Sequence, residues 1–229
     1  MAKNTARKVT LAKQAIIGFL GLLAFGFVGL SFYYGTNLNN MGPAIDGEDY
    51  TLLDSPIKSQ KRDGQEVIEY FSYRCIHCKN FEPFLEDWLA DIPEGITFER
   101  QHVVFSTSDE LFARAHLALK SDPGYLKLHR VLFSAIHDRQ KHFNDLEDLI
   151  TYLREYGIDE EEFRQSFNSP IVSRKLKNNR SRQSQSQLSA TPSLLVLGKY
   201  VISMSNGQQR ALDIASELIE RERNPSTKS

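Results

Sequence analysis

Cysteine is scarce in this chain: there are only two among 229 residues, Cys75 and Cys78. A secreted scaffold stapled by disulfides carries many cysteines spread along its length, so that class of protein is excluded. A structural zinc site needs further ligands close to such a pair, and no third cysteine exists to supply one. We therefore expect no metal and no cofactor beyond the cysteine pair itself, which points to chemistry rather than to structure.

An excess of either charge is also missing, since 28 Lys and Arg balance 29 Asp and Glu and the formal net charge is -1. Domains that bind nucleic acid concentrate positive charge, so this balance argues against a nucleic-acid partner. The hydrophobic share of 41% and the charged share of 25% are those of a globular protein. The length suits one domain with a sizeable insertion and a short appendage.

Residues 15–34 contain no charged side chain and are long enough for a helix to cross the roughly 30 Å hydrocarbon core of a bilayer. Four cations precede this run, whereas no Lys or Arg follows it until Lys58. That asymmetry predicts one transmembrane helix, with residues 1–14 in the cytoplasm and the rest of the chain outside. The four preceding cations are Lys3, Arg7, Lys8 and Lys13.

A cleaved signal peptide is the alternative interpretation of this segment. Its apolar region is typically about 7–15 residues long and ends at small residues, whereas residues 32–36 read Phe-Tyr-Tyr-Gly-Thr. An uncleaved anchor is favoured, and both interpretations place the rest of the chain in an oxidising compartment. Residues 35–47, rich in Gly, Asn and Pro, are predicted to be a tether.

Strand and helix patterns alternate after the tether. A strand is predicted over Glu66–Ser72, a helix kinked by Pro83 over His77–Asp91, and a strand over Ile96–Phe105. Helical periodicity then dominates. The helices predicted there are Ser108–Lys120, Gly124–His137, Asn144–Tyr156 with Asn144 as its cap, and Asp159–Asn168.

A further helix is predicted to begin at Pro170, capped by Ser169, and to fray into a solvated linker because its continuation is so polar. A hairpin follows, with strands Ser193–Leu197 and Tyr200–Met204 around a Gly198-Lys199 turn, and then a helix over Arg210–Arg223. This order predicts an α/β domain interrupted by helices. The predicted segments are 48–107 with 188–222 for the α/β domain, 108–187 for the helical insertion and 223–229 for a tail.

The Cys-x-x-Cys pair lies where the predicted strand gives way to a helix. Cys75 would lie at the helix N-terminus, where free N–H groups and the helix dipole favour a thiolate that attacks another sulfur. Cys78, one turn further, would be shielded and would act as the resolving thiol. His77 would add a hydrogen-bond donor or a positive charge beside the thiolate. A stabilised thiolate also stabilises the reduced pair, which favours an oxidant.

Two other uses of the motif fit less well. Covalent haem attachment needs His directly after the second cysteine, and this chain has Lys79 there. A purely structural disulfide across so short a loop would contribute little, because the stabilisation grows with loop length.

Several blocks outside the motif carry a family resemblance over roughly residues 48–220. They are Val67–Ser72 leading into Cys75–Cys78, then Phe81-Glu82, Pro93–Gly95, His102-Val103, and Thr191-Pro192 followed by Gly198–Tyr200. In order and spacing these blocks resemble the DsbA-like disulfide oxidoreductases, which have a thioredoxin fold with an inserted helical domain.

The resemblance implies roles for residues distant from the cysteines. Pro192 would be a cis-proline facing the active site, where the exposed backbone beside it pairs with an extended substrate. Glu69 would be the acidic residue beneath Cys78, placed to take its proton; a Glu at a solvated strand edge is the alternative. His102 also matches a family position, although a core histidine explains it equally well.

Two departures from the family pattern leave the reduction potential and the preferred partner open. Close relatives usually have Pro in place of Ile76 and often Val in place of Thr191, and both positions contact the redox pair. Thr before the cis-proline is also found in isomerases and reductases of the same compartment. Those isomerases carry a separate dimerisation domain, for which the short tether leaves no room, so a monomer is expected.

Three functional hypotheses result. The first is a dithiol oxidase that exchanges its disulfide with cysteines of exported proteins and is recharged by a membrane redox partner. It would span a bacterial inner membrane once, with its catalytic domain in the periplasm. The second is a reductase or isomerase of the same fold with the electron flow reversed. The third is a membrane-tethered chaperone or assembly scaffold, in which the dithiol is secondary.

Overall fold

The computed structural model of the chain describes residues 16–31, 42–59 and 65–224. The chain divides into two compact units, Met1–Pro43 and Ala44–Ser229. The described part of the first unit is helix α1, residues 16–31, together with Gly42 and Pro43; residue 15 and residues 32–34 of the predicted anchor lie outside the described residues. Over the described ranges, no helix combines the length and the apolar character needed to cross a membrane.

The second unit is built on a mixed sheet of five strands. The strands are β1 Thr51–Leu52, β2 Glu66–Phe71, β3 Thr97–His102, β4 Ser193–Val196 and β5 Tyr200–Ser203. Their order across the sheet is β1-β5-β4-β2-β3. Strands β2 and β4 pair antiparallel, β2 also pairs parallel with β3, and β4 and β5 form an antiparallel hairpin.

Helix α2 makes the crossover between β2 and β3, five helices follow between β3 and β4, and α8 ends the described chain. The predicted α/β order is confirmed, with most element ends within a few residues of their predicted positions; the domain limits, including 108–187 for the insertion, stay a prediction. The helices are α2 Ile76–Ala90, α3 Asp109–Leu119, α4 Tyr125–His137, α5 Leu146–Arg154, α6 Glu160–Phe167, α7 Pro170–Gln185 and α8 Gln208–Arg223.

Strand β2 is buried along its whole length and positions the site. Side chains alternate between the two faces of a strand. Val67 packs with the core that α2 and α8 share, whereas Ile68 and Tyr70 face the opposite side of the sheet. Glu69 therefore points to the same side as Val67 and Phe71, toward α2.

Helix α7 corrects the prediction of a solvated, fraying segment. Its cap is as predicted, since the Ser169 side chain accepts a hydrogen bond from the Val172 N–H and Pro170 is the first residue. The helix then runs regularly to Gln185 with a buried stripe that includes Asn179 and Arg182. Hydrophobic periodicity did not reveal this stripe because two of its buried residues are polar. Arg182 is buried in an ion pair with Glu66 of β2, with 2.5 Å between Nη2 and Oε2.

Three local predictions were wrong in position. Helix α5 is capped by Asp145, whose side chain accepts from the Asp148 N–H, rather than by Asn144. Strand β3 ends at His102 instead of Phe105, because the Val104 N–H donates to the Gln183 side chain at 2.8 Å. The hairpin turn lies at Leu197-Gly198 rather than Gly198-Lys199: both residues have positive φ, 53° and 68°, and the Lys199 N–H donates to Val196 O.

Gly198 is the position where this turn tolerates least change. A Cβ there would overlap the carbonyl oxygen of Ile57, whose own N–H donates to Gly198 O at 2.8 Å. We expect Gly198→Ala to lower the free energy of unfolding by at least about 2 kcal/mol, from strain plus overlap. The control is Gly157→Ala, which shares the positive φ but has nothing within 4 Å and is expected to cost about 1 kcal/mol. Urea unfolding of both variants measures this, and equal costs would contradict the steric account.

Candidate active site

The cysteine pair lies between β2 and α2, as the pattern predicts. Cys75 is the N-cap of α2, with extended backbone at φ -97° and ψ 114°, and it is half-buried. Cys78 lies one turn into the helix and is completely buried. Both thiols are free. One sulfur is thus presented at a helix N-terminus, and the other is shielded beneath it.

The surroundings of Cys75 stabilise its thiolate. The hydrogen bond from the Cys78 thiol is the largest influence and, although burial opposes it, the pKa of Cys75 is lowered to about 5. A hydrogen bond from the Thr191 side chain and the backbone N–H groups of His77 and Cys78 lower this pKa as well. The first-turn N–H groups of α2 therefore act on the sulfur as the sequence predicts.

The contribution of the His77 ring stays a prediction. The ring is exposed, and among the described residues no hydrogen bond joins it to Cys75. The backbone of His77 does take part: its N–H lowers the pKa of Cys75, and its carbonyl accepts from Gln208 Nε2 at 3.0 Å, which ties α2 to α8.

Thr191 and Pro192 come from the other side of the fold to face the pair. The Thr191–Pro192 peptide bond is cis, as the resemblance implies. The Cys75 thiol donates to the Thr191 carbonyl oxygen at 3.3 Å. Ile76, the first residue of α2, is 42% exposed beside the sulfur. The structure thus brings residues 75–78 and 191–192 together in one place, with Ile76 and His77 exposed and Cys78 and Pro192 buried.

Glu69 lies beneath this place, and the alternative of a solvated strand-edge carboxylate is wrong because its side chain is fully buried. Burial and the nearby charge of Glu82 raise the pKa of Glu69 to about 8, despite the opposing charge of Arg100. Burial also raises the pKa of the Cys78 thiol, and hydrogen bonding to Cys75 and the charge of Glu69 raise it further. The site therefore favours the thiol form of Cys78 over the thiolate.

A buried polar group beside Glu69 was not anticipated. Glu82 of α2 accepts from Arg100 Nη2 at 3.0 Å and from His129 Nε2 at 3.1 Å. His129 Nδ1 in turn lies 2.9 Å from the Tyr73 hydroxyl. Since a carboxylate only accepts, His129 is the Nε2–H tautomer and Nδ1 accepts from the hydroxyl. The chain Tyr73–His129–Glu82–Arg100 thus links the loop before Cys75 to β3.

This group decides which carboxyl holds a proton. Burial raises the pKa of Glu82, but His129 and Arg100 lower it by more, so Glu82 is ionised. Arg100 contacts Glu69 only through Nε, at 3.4 Å from Oε2, while giving two hydrogen bonds to Glu82. The sequence did hold a signal, because Glu82 is four residues after Cys78 and so shares its buried face of α2.

A comparison with protein families assigns the chain to a family. The model of the DSBA-like thioredoxin domain matches residues 85–218, more than half of the chain.

The chain belongs to this family.

Relatives and solved structures agree with this assignment. The thiol:disulfide interchange proteins DsbA of Pseudomonas aeruginosa and Azotobacter vinelandii are 30% and 29% identical, over 77% and 84% of this chain and 85% and 92% of theirs. The crystal structure of Pseudomonas aeruginosa DsbA matches with a TM-score of 0.77 at 28% identity, covering 81% of this chain and 97% of that one. The fold is therefore the thioredoxin-like fold of the DsbA family, and the protein is a thiol–disulfide oxidoreductase.

His102 is a structural residue in this DsbA-like domain. Its Nε2 accepts from the Tyr73 N–H at 3.0 Å, and its Nδ1–H donates to Val103 O at 2.7 Å. Burial lowers the pKa of His102 to about 4, so the ring stays neutral. It fixes the loop before Cys75, and the core-histidine interpretation accounts for all of its contacts.

The lowered pKa of Cys75 predicts how the reduced protein reacts with an alkylating agent. Because the thiolate is the nucleophile, the alkylation rate is expected to fall as the pH is lowered, with a midpoint near pH 5. An ordinary cysteine would lose its reactivity already near about pH 8.5. Thr191→Val removes a hydrogen bond to the thiolate and is expected to move the midpoint upward. Stopped-flow alkylation against pH measures both. Thr151→Val, at an exposed position on helix α5, is the control, and a wild-type midpoint above pH 8 would refute the prediction.

The raised pKa of Glu69 predicts a pH dependence of stability. Between the ordinary value of 4.5 and about 8, the folded state holds a proton that the unfolded state has released. Stability therefore falls as pH rises through this window, by at most about 1.4 kcal/mol per pH unit from this residue. Glu69→Gln is expected to abolish this part of the slope in urea unfolding at pH 5 to 8. Exposed Glu155→Gln should leave the slope unchanged, and a Glu69→Gln slope parallel to that of the wild type would contradict the assignment.

Proposed function

We propose that this protein is a dithiol oxidase whose Cys75–Cys78 disulfide accepts two electrons from cysteine pairs of exported proteins. The observation that carries the proposal is the contrast between a stabilised Cys75 thiolate and a Cys78 thiol whose pKa is raised. Stabilising the thiolate stabilises the reduced pair, and each tenfold of stabilisation makes the couple about 30 mV more oxidising. The N-terminus of α2 therefore favours disulfide donation.

The exchange has two steps. A substrate thiolate attacks the Cys75 sulfur, a substrate–Cys75 disulfide forms, and the bond to Cys78 breaks with the electron pair leaving on Cys78. A second substrate thiolate then attacks the substrate sulfur of the mixed disulfide, and Cys75 leaves as its stabilised thiolate. The substrate dithiol has lost two electrons and the enzyme pair has gained them.

Glu69 is proposed to handle the proton of the buried cysteine. Cys78 leaves as a thiolate in a site where burial favours the thiol, so it needs a proton at once. Glu69 holds one at neutral pH because its pKa is about 8. During recharging Cys75 attacks the disulfide of a partner, and Glu69 takes the proton back as Cys78 attacks Cys75 and releases that partner.

Ile76, Thr191 and Pro192 are proposed to hold the substrate backbone beside the sulfur. Ile76 offers an exposed apolar side chain, and the Thr191 carbonyl already faces Cys75 at 3.3 Å. An extended peptide in this position pairs through its main chain, which suits exported substrates of varied sequence. His77 is proposed to tune the pair from the exposed side.

We also propose that residues 15–34 anchor the chain in a bacterial inner membrane, with the catalytic unit in the periplasm and a quinone-linked membrane partner recharging it. The support is in the sequence: twenty residues without charge, cations before them and none after until Lys58. Tethering would keep the dithiol close to such a partner.

The second candidate is a reductase or isomerase, and its support is the residue before the cis-proline, because Thr in the position of Thr191 is also found in isomerases and reductases that resemble this chain. The couple then would lie at a lower potential, and a partner would keep the dithiol reduced.

Redox state separates these functions. We expect the equilibrium with glutathione to give an oxidising potential, and the dithiol to be mostly oxidised when acid-quenched cells are alkylated.

Trapping of mixed disulfides tests the exchange and the anchor in the same cells. Cys78→Ser is expected to collect mixed disulfides with exported proteins in the carbonate-resistant membrane fraction, whereas Cys75→Ser collects none. A strongly reducing potential with a reduced dithiol would support the second candidate. A Cys75→Ser variant that supports the cells as well as the wild type would indicate a scaffold. Recovery of the protein in the soluble fraction after carbonate extraction would refute the anchor.

A further inference from the structure

A pocket of about 300 Å³ lies between α4 and α5, and none of the site residues described above lines it. Its lining has three cationic side chains, two tyrosines and no carboxylate. We call it the α4–α5 pocket; it is lined by Lys127, Arg130, Val131, Ser134, Arg139, Tyr152 and Tyr156.

Two of the pocket cations are not neutralised within the described part of the chain. Arg139 and Lys127 form no ion pair there: Arg139 donates to two tyrosine hydroxyls, and Lys127 donates to the Tyr156 carbonyl at 3.1 Å. Two acidic residues near this edge are paired with other cations, Glu86 with Arg130 at 2.9 Å and Asp138 with Lys79, and no carboxylate lines the pocket. A net positive charge therefore remains at the pocket.

Arg139 is held in a fixed orientation. Its Nη1 lies 2.6 Å from the Tyr156 hydroxyl and 3.3 Å from the Tyr152 hydroxyl, and its guanidinium lies 6.0 Å from the centre of the Tyr156 ring. Tyrosine hydroxyls leave the charge of the guanidinium intact, unlike a carboxylate. A guanidinium that is oriented before a ligand arrives loses less entropy when it pairs with a carboxylate.

The pocket begins beside the redox helix. His137, the last residue of α4, donates from Nε2 to Tyr73 O at 2.9 Å, two residues before Cys75. Asp138 pairs with Lys79 in the first turn of α2. Lys127 and Arg139 both contact Tyr156, Lys127 at its carbonyl oxygen and Arg139 at its hydroxyl, so the two cations are held at the two ends of one side of the pocket.

We propose that the α4–α5 pocket binds acidic side chains of the polypeptide that exchanges disulfides at Cys75, on a segment near its reacting cysteine. The inference rests on the proposed function, and it makes the enzyme selective for substrates with Asp or Glu near the cysteine. The carboxylates pair with Arg139 and Lys127, and the tyrosine rings cover the aliphatic part of the bound segment.

Binding is tested separately from redox chemistry, with the full chain in a zwitterionic detergent. The probes are cysteine-free labelled peptides, six residues of Asp and Glu in one and of Gln and Ser in the other, measured by fluorescence anisotropy at low salt. We expect the acidic peptide to bind more tightly, and the double variant Lys127→Gln with Arg139→Gln to lose about fivefold, the effect of two exposed ion pairs. High salt should remove the preference.

The matched control is Arg174→Gln with Lys177→Gln, which removes the same charge from exposed positions on α7. It should bind the acidic peptide as the wild type does. Equal losses in both double variants would show a general charge effect and overturn the pocket. Unchanged binding in the α4–α5 variant would overturn it too. The protein could instead bind vesicles that contain anionic lipid, in a way that depends on Lys127 and Arg139, and fail to bind the peptides. That result would assign the pocket to lipid and overturn the polypeptide proposal.

The link to exchange uses dithiol peptides with the same acidic or neutral flanks. The oxidation rate of the acidic peptide relative to the neutral one should exceed one in the wild type and fall to about one in the Lys127→Gln, Arg139→Gln variant. Binding without this change in ratio would overturn the role in substrate choice. Absence of oxidation of the neutral peptide by the wild type would instead refute the proposed oxidase, with the binding result still standing.

Discussion

Arg100 is a single positive charge buried between two carboxylates, and the site depends on how that charge is divided. It donates twice to Glu82, while its Nε lies 3.4 Å from Glu69. Burying three ionisable groups costs much more than one pair of charges returns, so one of them has to be neutral. The proton stays on Glu69 because His129 adds a second donor to Glu82. A protonated carboxyl is thereby kept next to a thiol that needs it.

The same group joins separate parts of the fold. Glu69 comes from β2, Glu82 from α2, Arg100 from β3 and His129 from α4, one of the helices between β3 and β4. Tyr73 connects the group to the loop before Cys75, where His102 and His137 bind the backbone of the same residue. The helices after β3 therefore form part of the support of the active site, and a change at His129 would reach both the carboxyls and the nucleophile.

The sequence predicted what short-range chemistry determines. The cysteine spacing, the preceding strand and the helix start place a thiolate at an N-terminus without knowledge of the tertiary fold, and Ser169 and Pro170 likewise predict a helix start. Contacts between distant segments were not predictable in this way. The segment with Arg182 was predicted to be solvated because its partner Glu66 is distant in the chain. The buried ion pairs of Glu82 were not predicted, because its partners Arg100 and His129 are 18 and 47 residues away.

Under the proposed function, the direction and the speed of the exchange are set in different places. The N-terminal turn of α2, with Thr191 opposite, decides how stable the Cys75 thiolate is, and hence which way electrons flow. A carboxyl with a pKa of about 8, as in Glu69, holds its proton in most molecules at pH 7 yet releases it at small cost. Such a group serves Cys78 equally well when the thiolate must be protonated and when the thiol must be deprotonated. The buried network therefore fits an oxidase and a reductase alike, and the departures at Ile76 and Thr191 concern the one part of the site that distinguishes them.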